Sequence, residues 1–223
     1  MLINKNDTVL FQGDSITDWG RTTLRRLNDR HTFYENGEDE GNHGIGYVSS
    51  IIQQFNALYP EMNVNFINRG VSGNRTSDLV NRWQKDCIDL NPNVVSILIG
   101  INDTWRRYDA NDPTSIEQFE KNYRIMLDMI KENLPDTKII IMEPFLMPTT
   151  EDKRLWREDL DEKIQMVRKL AYEYKTEFIP LDGIFHQACN KASYEFFTTD
   201  GIHTSYNGSA LIAEHWLKCV GAR

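Results

Sequence analysis

Short β-rich runs alternate with longer helical patterns along this 223-residue chain. Such alternation predicts a parallel sheet that is covered by helices on both faces. The run Val94 to Ile99 is continuously apolar and stops at Gly100, as expected for a central strand that is buried on both sides. Five strands are predicted in all, over residues 8–11, 63–68, 94–99, 138–142 and 177–181.

Between the predicted strands, apolar residues recur at steps of three and four positions, which is the period of an amphipathic helix. No internal repeat, low-complexity stretch or linker divides the chain. We therefore expect one α/β domain over residues 1–223. The longer helices are predicted over residues 47–59, 115–133, 152–174 and 207–219.

The charge balance and the cysteine content limit the classes of function. There are 33 acidic residues against 25 Lys and Arg, so a nucleic-acid partner, which needs a basic face, is not expected. No apolar run approaches the roughly 20 residues that span a bilayer, and the N-terminus lacks the pattern of a signal peptide. Cys87, Cys189 and Cys219 are far apart and odd in number, which favours free thiols in a reducing compartment. We expect a cytoplasmic protein with no membrane partner.

The segments that follow the predicted strands carry the most chemistry. In open parallel sheets, functional residues collect outside the carboxyl ends of the strands. Three segments of this chain meet that condition, and a fourth stands just before the last helix. They are Gly13 to Gly20 (GDSITDWG), Asn68 to Asn74 (NRGVSGN), Gly100 to Trp105 (GINDTW) and Asp200 to His203 (DGIH).

Together these segments hold the groups that acyl transfer requires: a hydroxyl nucleophile, an imidazole base, a carboxylate that orients the imidazole, and donors for the oxyanion. Ser15 follows Gly13 in a tight turn at a strand end, which leaves its hydroxyl exposed. Asp200 and His203 lie three positions apart. That spacing allows the carboxylate to reach the imidazole Nδ1–H while Nε2 faces Ser15.

The oxyanion donors are predicted at adjacent strand ends: the backbone N–H groups of Ser15 and Gly73 and the side-chain amide of Asn102. Each piece also has an ordinary structural interpretation. Gly-Asp-Ser is common in turns, Asp-x-x-His can cap a helix or form half of a metal site, Gly73 can supply a positive φ, and Asn102 can close a turn. No G-x-S-x-G, Walker-type loop or G-x-G-x-x-G after the first strand is present, which argues against the α/β-hydrolase elbow and against nucleotide binding.

The four segments, taken in order, resemble the sequence blocks of the SGNH (GDSL-type) hydrolase family, and the resemblance covers almost the whole chain. It implies a flavodoxin-like fold, a three-layer α/β/α sandwich with a five-stranded parallel sheet. Carried over by position, it implies Ser15 as the nucleophile, His203 as the base and Asp200 as the residue that orients it. It also implies Ser15, Gly73 and Asn102 as the oxyanion donors.

Two longer stretches, residues 70–86 and 99–109, look like an intracellular bacterial branch of this family that removes acetyl groups from xylo-oligosaccharides. In that branch the sugar-facing region typically includes the aromatic and Arg residues after the Asn-Asp pair, which correspond here to Trp105, Arg106 and Tyr108. An aromatic face against a sugar ring and a guanidinium fork on its hydroxyls are physically sound contacts.

The predicted substrate-binding residues are Asp14, Trp105 and Arg106. The alternative is that Trp105 belongs to the core and Arg106 to an internal salt bridge. Thr198 and Thr199 stand before Asp200 where a Trp is expected in that branch, which leaves the natural sugar open.

Residues 28–46 form a segment rich in glycine and acidic residues, with His31 and His43. It is interpreted as a solvated loop, and the alternatives are a lid, a subunit contact or a cation site. No other spacing suggests a metal, and no cofactor is expected. The family resemblance suggests a homo-oligomer.

The leading hypothesis for function is a serine carbohydrate esterase that moves an acetyl group from a small acetylated oligosaccharide to Ser15 and then to water. A lysophospholipase or thioesterase would use the same catalytic residues, but it needs an apolar channel, and the residues near Ser15 are largely polar. A non-catalytic sugar-binding module is the third hypothesis, and the presence of every expected site residue counts against it.

Overall fold

The computed structural model describes residues 1–21 and 41–223. Most of the acidic segment, residues 28–40 with His31, lies outside the described residues. The centre of the fold is a five-stranded parallel sheet, as the sequence predicts, and its strand order is β2-β1-β3-β4-β5. Its strands are β1 (Thr8–Gly13), β2 (Asn65–Gly70), β3 (Val94–Leu98), β4 (Lys138–Met142) and β5 (Glu177–Ile179).

Helices cover both faces of the sheet, which confirms the three-layer α/β/α prediction. α2, α7 and α9 pack on one face, α3 and α5 pack on the other, and α6 contributes to both cores. The helices of the described residues are α1 (Ser15–Asp18), α2 (Tyr47–Leu58), α3 (Thr76–Asp86), α4 (Ile101–Asp109), α5 (Ile116–Asn133), α6 (Glu151–Tyr174), α7 (Leu181–Ala188), α8 (Tyr194–Phe197) and α9 (Tyr206–Cys219). None of these helices is both long and apolar enough to cross a membrane.

The strands send alternate side chains into two separate cores. Val9 and Phe11 of β1 join the core beneath α2 and α9, whereas Leu10 joins the core beneath α3 and α5. Each core includes a buried tryptophan whose indole N–H donates across the layers: Trp216 to Ser96 Oγ at 3.0 Å, and Trp83 to the Met126 carbonyl at 3.0 Å. Both indole rings are fully buried. The three cysteines are free thiols.

Two strands extend further toward their carboxyl ends than the sequence predicts. β1 continues to Gly13 and β2 to Gly70, and the two strands pair through Gln12 with Arg69 and Gly13 with Gly70. β5 instead ends early, at Ile179, because Pro180 separates it from α7. The extra residues of β1 and β2 bring their ends level with each other beside β3.

The strand order leaves a crevice at the carboxyl ends of β1 and β3, because the chain leaves these two strands toward opposite faces of the sheet. The turn after β1 passes very close to its neighbours there. A Cβ on Gly13 would lie 2.2 Å from Thr17 Oγ1 and 2.5 Å from the Leu98 carbonyl oxygen, so this position requires glycine. The fold therefore directs the start of α1 into the crevice.

Candidate active site

Ser15 is the first residue of α1, directly after β1. The side chain of Asp14 caps this short helix, because its Oδ1 accepts the backbone N–H of Ile16 at 3.0 Å. Ser15 remains partly exposed, and its Oγ lies 2.9 Å from His203 Nε2. The hydroxyl and the imidazole come from segments 188 positions apart, and the fold brings them into hydrogen-bond contact.

The loop before α9 supplies the imidazole and its carboxylate. His203 Nδ1 lies 2.8 Å from Asp200 Oδ2, and Asp200 Oδ1 accepts the backbone N–H groups of Ile202 at 2.9 Å and of His203 at 2.8 Å. The backbone carbonyl of Asp200 in turn accepts hydrogen bonds from the Lys153 ammonium and from Thr149 Oγ1, the latter at 3.1 Å. Both the side chain and the backbone of Asp200 are therefore held in place.

The pKa values of this pair move in the directions that suit a proton acceptor. Burial alone would raise the pKa of Asp200, but the hydrogen bonds from the His203 side chain and from the His203 and Ile202 backbones hold it below its usual range. The hydrogen bond to Asp200 raises the pKa of His203, against a smaller opposing effect of burial. An ionised Asp200 can thus orient the imidazole and stabilise its protonated form.

Asp14 lies beneath the turn that contains Ser15 rather than on an open rim. It is 1% exposed, and burial raises its pKa to about 7. In the part of the chain that the structure describes, its Oδ2 has no hydrogen-bond partner. The prediction that Asp14 binds substrate does not fit this burial, because the side chain has almost no surface to offer. The sequence places Asp14 next to Ser15 but does not show which way its carboxyl group points.

The predicted oxyanion donors lie at the ends of three adjacent strands, since β1 is flanked by β2 and β3. Gly73 is the third residue of a turn that the Asn74 N–H to Val71 carbonyl hydrogen bond closes at 3.1 Å, and its φ of +83° favours glycine. The Asn102 side-chain amide donates to the Asn74 carbonyl at 3.0 Å, which uses one of its two hydrogens. Asn102 thus touches the turn that contains Gly73.

A second buried group, Asp103, connects the same two segments from below. Its carboxylate accepts the Thr76 backbone N–H at 3.0 Å and the Thr76 hydroxyl at 2.6 Å, and the Asn122 amide donates to that hydroxyl at 2.9 Å. Burial raises the pKa of Asp103 to about 6, although the hydrogen bonds from Thr76 oppose the shift. The start of α3 is therefore fixed to the start of α4.

Trp105 lies beside the imidazole. Its ring centroid is 6.0 Å from that of His203 and 5.5 Å from that of Trp156. The Arg106 guanidinium lies over the Trp105 ring, 5.6 Å from its centroid, and forms an ion pair with Asp109 on its own helix. The salt-bridge alternative for Arg106 is thus present, while contact of Trp105 or Arg106 with a sugar stays a prediction.

Another aromatic pair joins two residues that follow Ser15 and His203 in the chain. Trp19 comes directly after α1 and stacks on Tyr206, the first residue of α9, at 6.0 Å with an interplanar angle of 19°. Tyr206 is 71% exposed. Tyr108 instead stacks on Trp156 at 5.4 Å and donates its hydroxyl to the Leu155 carbonyl at 2.9 Å, so it packs against α6.

Sequence reasoning missed several of the groups that hold the site together. Lys153, Trp156 and Arg82, whose Nε donates to Asn74 Oδ1 at 2.9 Å, lie on amphipathic helices. The spacing there shows which face is buried but not which loop that face meets. Asp103 had the clearest signal, because it directly follows Asn102 at a strand end. The described residues contain no group of three or more His, Cys, Asp or Glu side chains that could hold a metal ion.

Comparisons with known proteins point to one family along the whole chain. The model of the GDSL-like lipase/acylhydrolase family matches residues 11–211. An acetylxylan esterase of Geobacillus stearothermophilus is 32% identical over 226 residues, which cover 99% of this chain and 97% of that protein. Solved structures of that esterase include catalytic mutants in which a serine or an aspartate is replaced by alanine, and one variant is described as an acetyl-xylooligosaccharide esterase.

Two solved structures show the extent of the structural similarity. The crystal structure of the Geobacillus stearothermophilus esterase superposes with a TM-score of 0.84 at 30% identity, covering 99% of this chain and 97% of that one. An α/β hydrolase from the metagenome of Lake Arreo in Spain has a TM-score of 0.83 at 28% identity, covering 99% and 98%. Both similarities include all the segments that form the site.

Proposed function

The chain belongs to the GDSL-like lipase/acylhydrolase family and is a carboxylic ester hydrolase, and from this premise we propose that it is a serine carbohydrate esterase that removes acetyl groups from acetylated sugars. The observation that carries the proposal is the unbroken hydrogen-bond chain from Ser15 Oγ through His203 to Asp200, with lengths of 2.9 and 2.8 Å. The chain has the order of a nucleophile, its base and the carboxylate that orients the base.

In the first half of the proposed reaction, His203 Nε2 takes the proton of the Ser15 hydroxyl as Oγ attacks the acetyl carbonyl carbon. The negative charge that develops on the carbonyl oxygen is stabilised by the backbone N–H groups of Ser15 and Gly73 and by the Asn102 amide. The protonated imidazole, which Asp200 stabilises, then gives its proton to the departing sugar oxygen. The acetyl group remains on Ser15 as an ester.

In the second half, the neutral imidazole of His203 accepts a proton from water, and the hydroxide oxygen attacks the acetyl–Ser15 carbonyl carbon. Collapse of the second tetrahedral intermediate returns the proton to Ser15 Oγ and releases acetate. Asp200 stays ionised throughout, in agreement with its lowered pKa. Neither half requires a metal or an organic cofactor.

Two features of the rim support a sugar as the alcohol portion of the ester. The Trp105 ring lies next to His203, and the stacked Trp19 and Tyr206 rings follow the segments that hold Ser15 and His203. Aromatic faces suit the apolar faces of sugar rings, while the Arg106 guanidinium can donate to hydroxyls. Similarity to an acetylxylan esterase makes acetylated xylo-oligosaccharides the first substrates to test.

The proposal is tested with 4-nitrophenyl esters from acetate to octanoate, using the wild type and Ser15→Ala. We expect activity on acetate, a steep decline with chain length, and loss of turnover in Ser15→Ala. Ser49→Ala is the matched control, because the Ser49 hydroxyl accepts a hydrogen bond from Gln53 on its own helix, α2, at 2.9 Å. A preference for octanoate would favour the lysophospholipase or thioesterase alternative, and wild-type turnover in Ser15→Ala would contradict the mechanism.

The domain organisation, the cellular location and the oligomeric state are also proposals. We infer a single domain over residues 1–223 and a cytoplasmic location, which the three free cysteines support. A homo-oligomer is proposed as the working form. Light scattering that gives only a 26.0 kDa particle over the working range of concentrations would contradict the oligomer.

A further inference from the structure

Arg82, on α3, forms hydrogen bonds both to the end of β1, which precedes Ser15, and to the turn that contains Gly73. Its Nε donates to Asn74 Oδ1 at 2.9 Å, and its Nη1 donates to Gln12 Oε1 at 2.9 Å. A longer contact of 3.4 Å leads from Nη2 to the Gly13 carbonyl. Gln12 and Gly13 are the last two residues of β1, immediately before Asp14 and Ser15. One guanidinium group thus spans the ends of two neighbouring segments of the site.

The charge of this guanidinium is balanced by a buried carboxylate. Arg82 Nη1 lies 3.0 Å from Asp86 Oδ2, one helical turn along α3, and the side chains of the pair are only 17% and 4% exposed. The amide of Gln12 completes the ring by donating to the Asp86 backbone carbonyl at 2.6 Å. A planar fork can serve several acceptors in fixed directions, which the single ammonium of a lysine cannot do.

Asn74 is the point through which Arg82 acts on the turn. Its backbone N–H closes the turn onto Val71, its carbonyl accepts from the Asn102 amide, and its side-chain Oδ1 accepts from Arg82. Gly73 itself is exposed, and a Cβ added there would meet nothing within 4 Å. The direction of the Gly73 N–H therefore depends on how firmly its neighbours in the turn are held.

We propose that Arg82 is a positioning residue for oxyanion stabilisation, which fixes the Gly73 turn against the end of β1 and so sets the Gly73 N–H relative to Ser15 Oγ. The inference rests on the proposed acyl-enzyme mechanism. It adds a group that touches neither the substrate nor the reacting atoms. Preorganised donors lose much of their effect when they are displaced by about 1 Å, so loosening this turn lowers kcat more than it weakens substrate binding.

The experiment measures kcat and KM for 4-nitrophenyl acetate, together with the melting temperature, for the wild type, Arg82→Met, Arg82→Lys and Ser15→Ala. We expect Arg82→Met to lower kcat about 10- to 100-fold while KM changes by less than about threefold. Arg82→Lys keeps the charge opposite Asp86 but reaches fewer acceptors, so it recovers only part of the loss. Arg124→Met is the matched control, because Arg124 forms ion pairs with Glu120 and Glu173 away from the site.

Chemical rescue separates positioning from general stability. A surface cavity of about 390 Å³, lined by Asn74, Arg82 and Asp86 among others, opens beside the guanidinium. Millimolar methylguanidinium should therefore enter the space left in Arg82→Ala and restore part of its kcat, while methylammonium restores less. If the Arg82 variants do not fold, Asn74→Leu takes their place, because it removes the Oδ1 acceptor and leaves Arg82 intact. The same loss of kcat is expected.

The outcomes distinguish a failure of the Arg82 inference from a failure of the proposed esterase function. Suppose that the wild type is active and Ser15→Ala is inactive. A kcat of Arg82→Met within about twofold of wild type would then overturn the Arg82 inference but not the proposed function, whatever the melting temperature shows. A kcat loss that Arg124→Met shares equally would also overturn it. A wild type without ester hydrolase activity would remove the proposed function and this inference with it.

Discussion

Two aspartates flank the proposed catalytic pair, and their surroundings give them opposite character. The Asp200 side chain is about one third exposed, and its carboxylate accepts three hydrogen bonds, two from backbone N–H groups and one from His203. Asp14 is 1% exposed, and its carboxyl group accepts one hydrogen bond, from the Ile16 N–H. The pKa of Asp200 therefore falls below its usual range, whereas burial raises the pKa of Asp14 to about 7.

The comparison shows that burial and neighbouring donors, rather than residue type, set the direction in which each carboxyl pKa moves. Both groups act electrostatically on His203, but only Asp200 contacts the imidazole. A fully charged Asp14 beneath Ser15 would oppose the negative charge that the proposed reaction creates. Keeping Asp14 partly protonated near neutral pH reduces that conflict, and a protonated Asp14 still accepts the Ile16 N–H as a helix cap.

The largest predicted difference between the two aspartates is in turnover. Asp200→Asn removes the carboxylate that sets the tautomer of His203, so we expect kcat for 4-nitrophenyl acetate to fall about 10³- to 10⁴-fold at pH 7. Asp14→Asn imitates the protonated acid, and its kcat should stay within about tenfold of wild type. Equal losses in the two variants would mean that Asp14 also works as a charged group.

The next difference is in the pH dependence of stability, where the two substitutions have opposite signs. The folded-state pKa of Asp14 is above its ordinary value of 3.8, so its ionisation destabilises the fold as pH rises from about 4 to about 7. Asp14→Asn should therefore gain melting temperature relative to wild type over that range. The folded-state pKa of Asp200 is lowered, so its contribution to stability is present above about pH 4 and is lost as pH falls further.

Thermal melts of the wild type and the two variants between pH 2 and pH 8 check these signs. The melting temperature of Asp200→Asn should lie below that of wild type at pH 4 and above, and the gap should narrow as pH falls below about 4. A wild-type advantage over Asp14→Asn that grows with pH would show that Asp14 has partners that stabilise its charge.

Sequence reasoning found the strands and the segments that meet at the candidate site, because local patterns specify both. Apolar runs and the turn residues that follow them depend on a few neighbouring positions, so Ser15, Asp200 and His203 could be selected before any contact was known. The carboxyl ends of β1 and β2 were harder to predict from the sequence. Gln12 and Arg69 have polar side chains typical of loops, yet they continue the ladder because the two strands pair through them.

The supporting contacts of the site could not be predicted in the same way, because they depend on distant elements that pack together. The burial of Asp14, the approach of Trp156 to Trp105 and the reach of Arg82 to β1 each join residues from different parts of the chain. A helical pattern shows which face of a helix is apolar. It does not show which polar group at the edge of that face meets which loop.

The smallest predicted effect is on the pKa of His203, to which the two aspartates contribute unequally. The hydrogen bond to Asp200 is the main cause of the raised pKa of His203, and the negative charge of Asp14 adds to it. Asp14→Asn should therefore move the acid limb of the pH profile of kcat/KM to lower pH, by a fraction of a pH unit. Because Asp14 itself titrates near pH 7, the wild-type limb reports both groups together, and the variant should follow a single ionisation. An unchanged limb would show that the charge of Asp14 does not reach the imidazole, and a limb moved to higher pH would reverse the sign of the interaction.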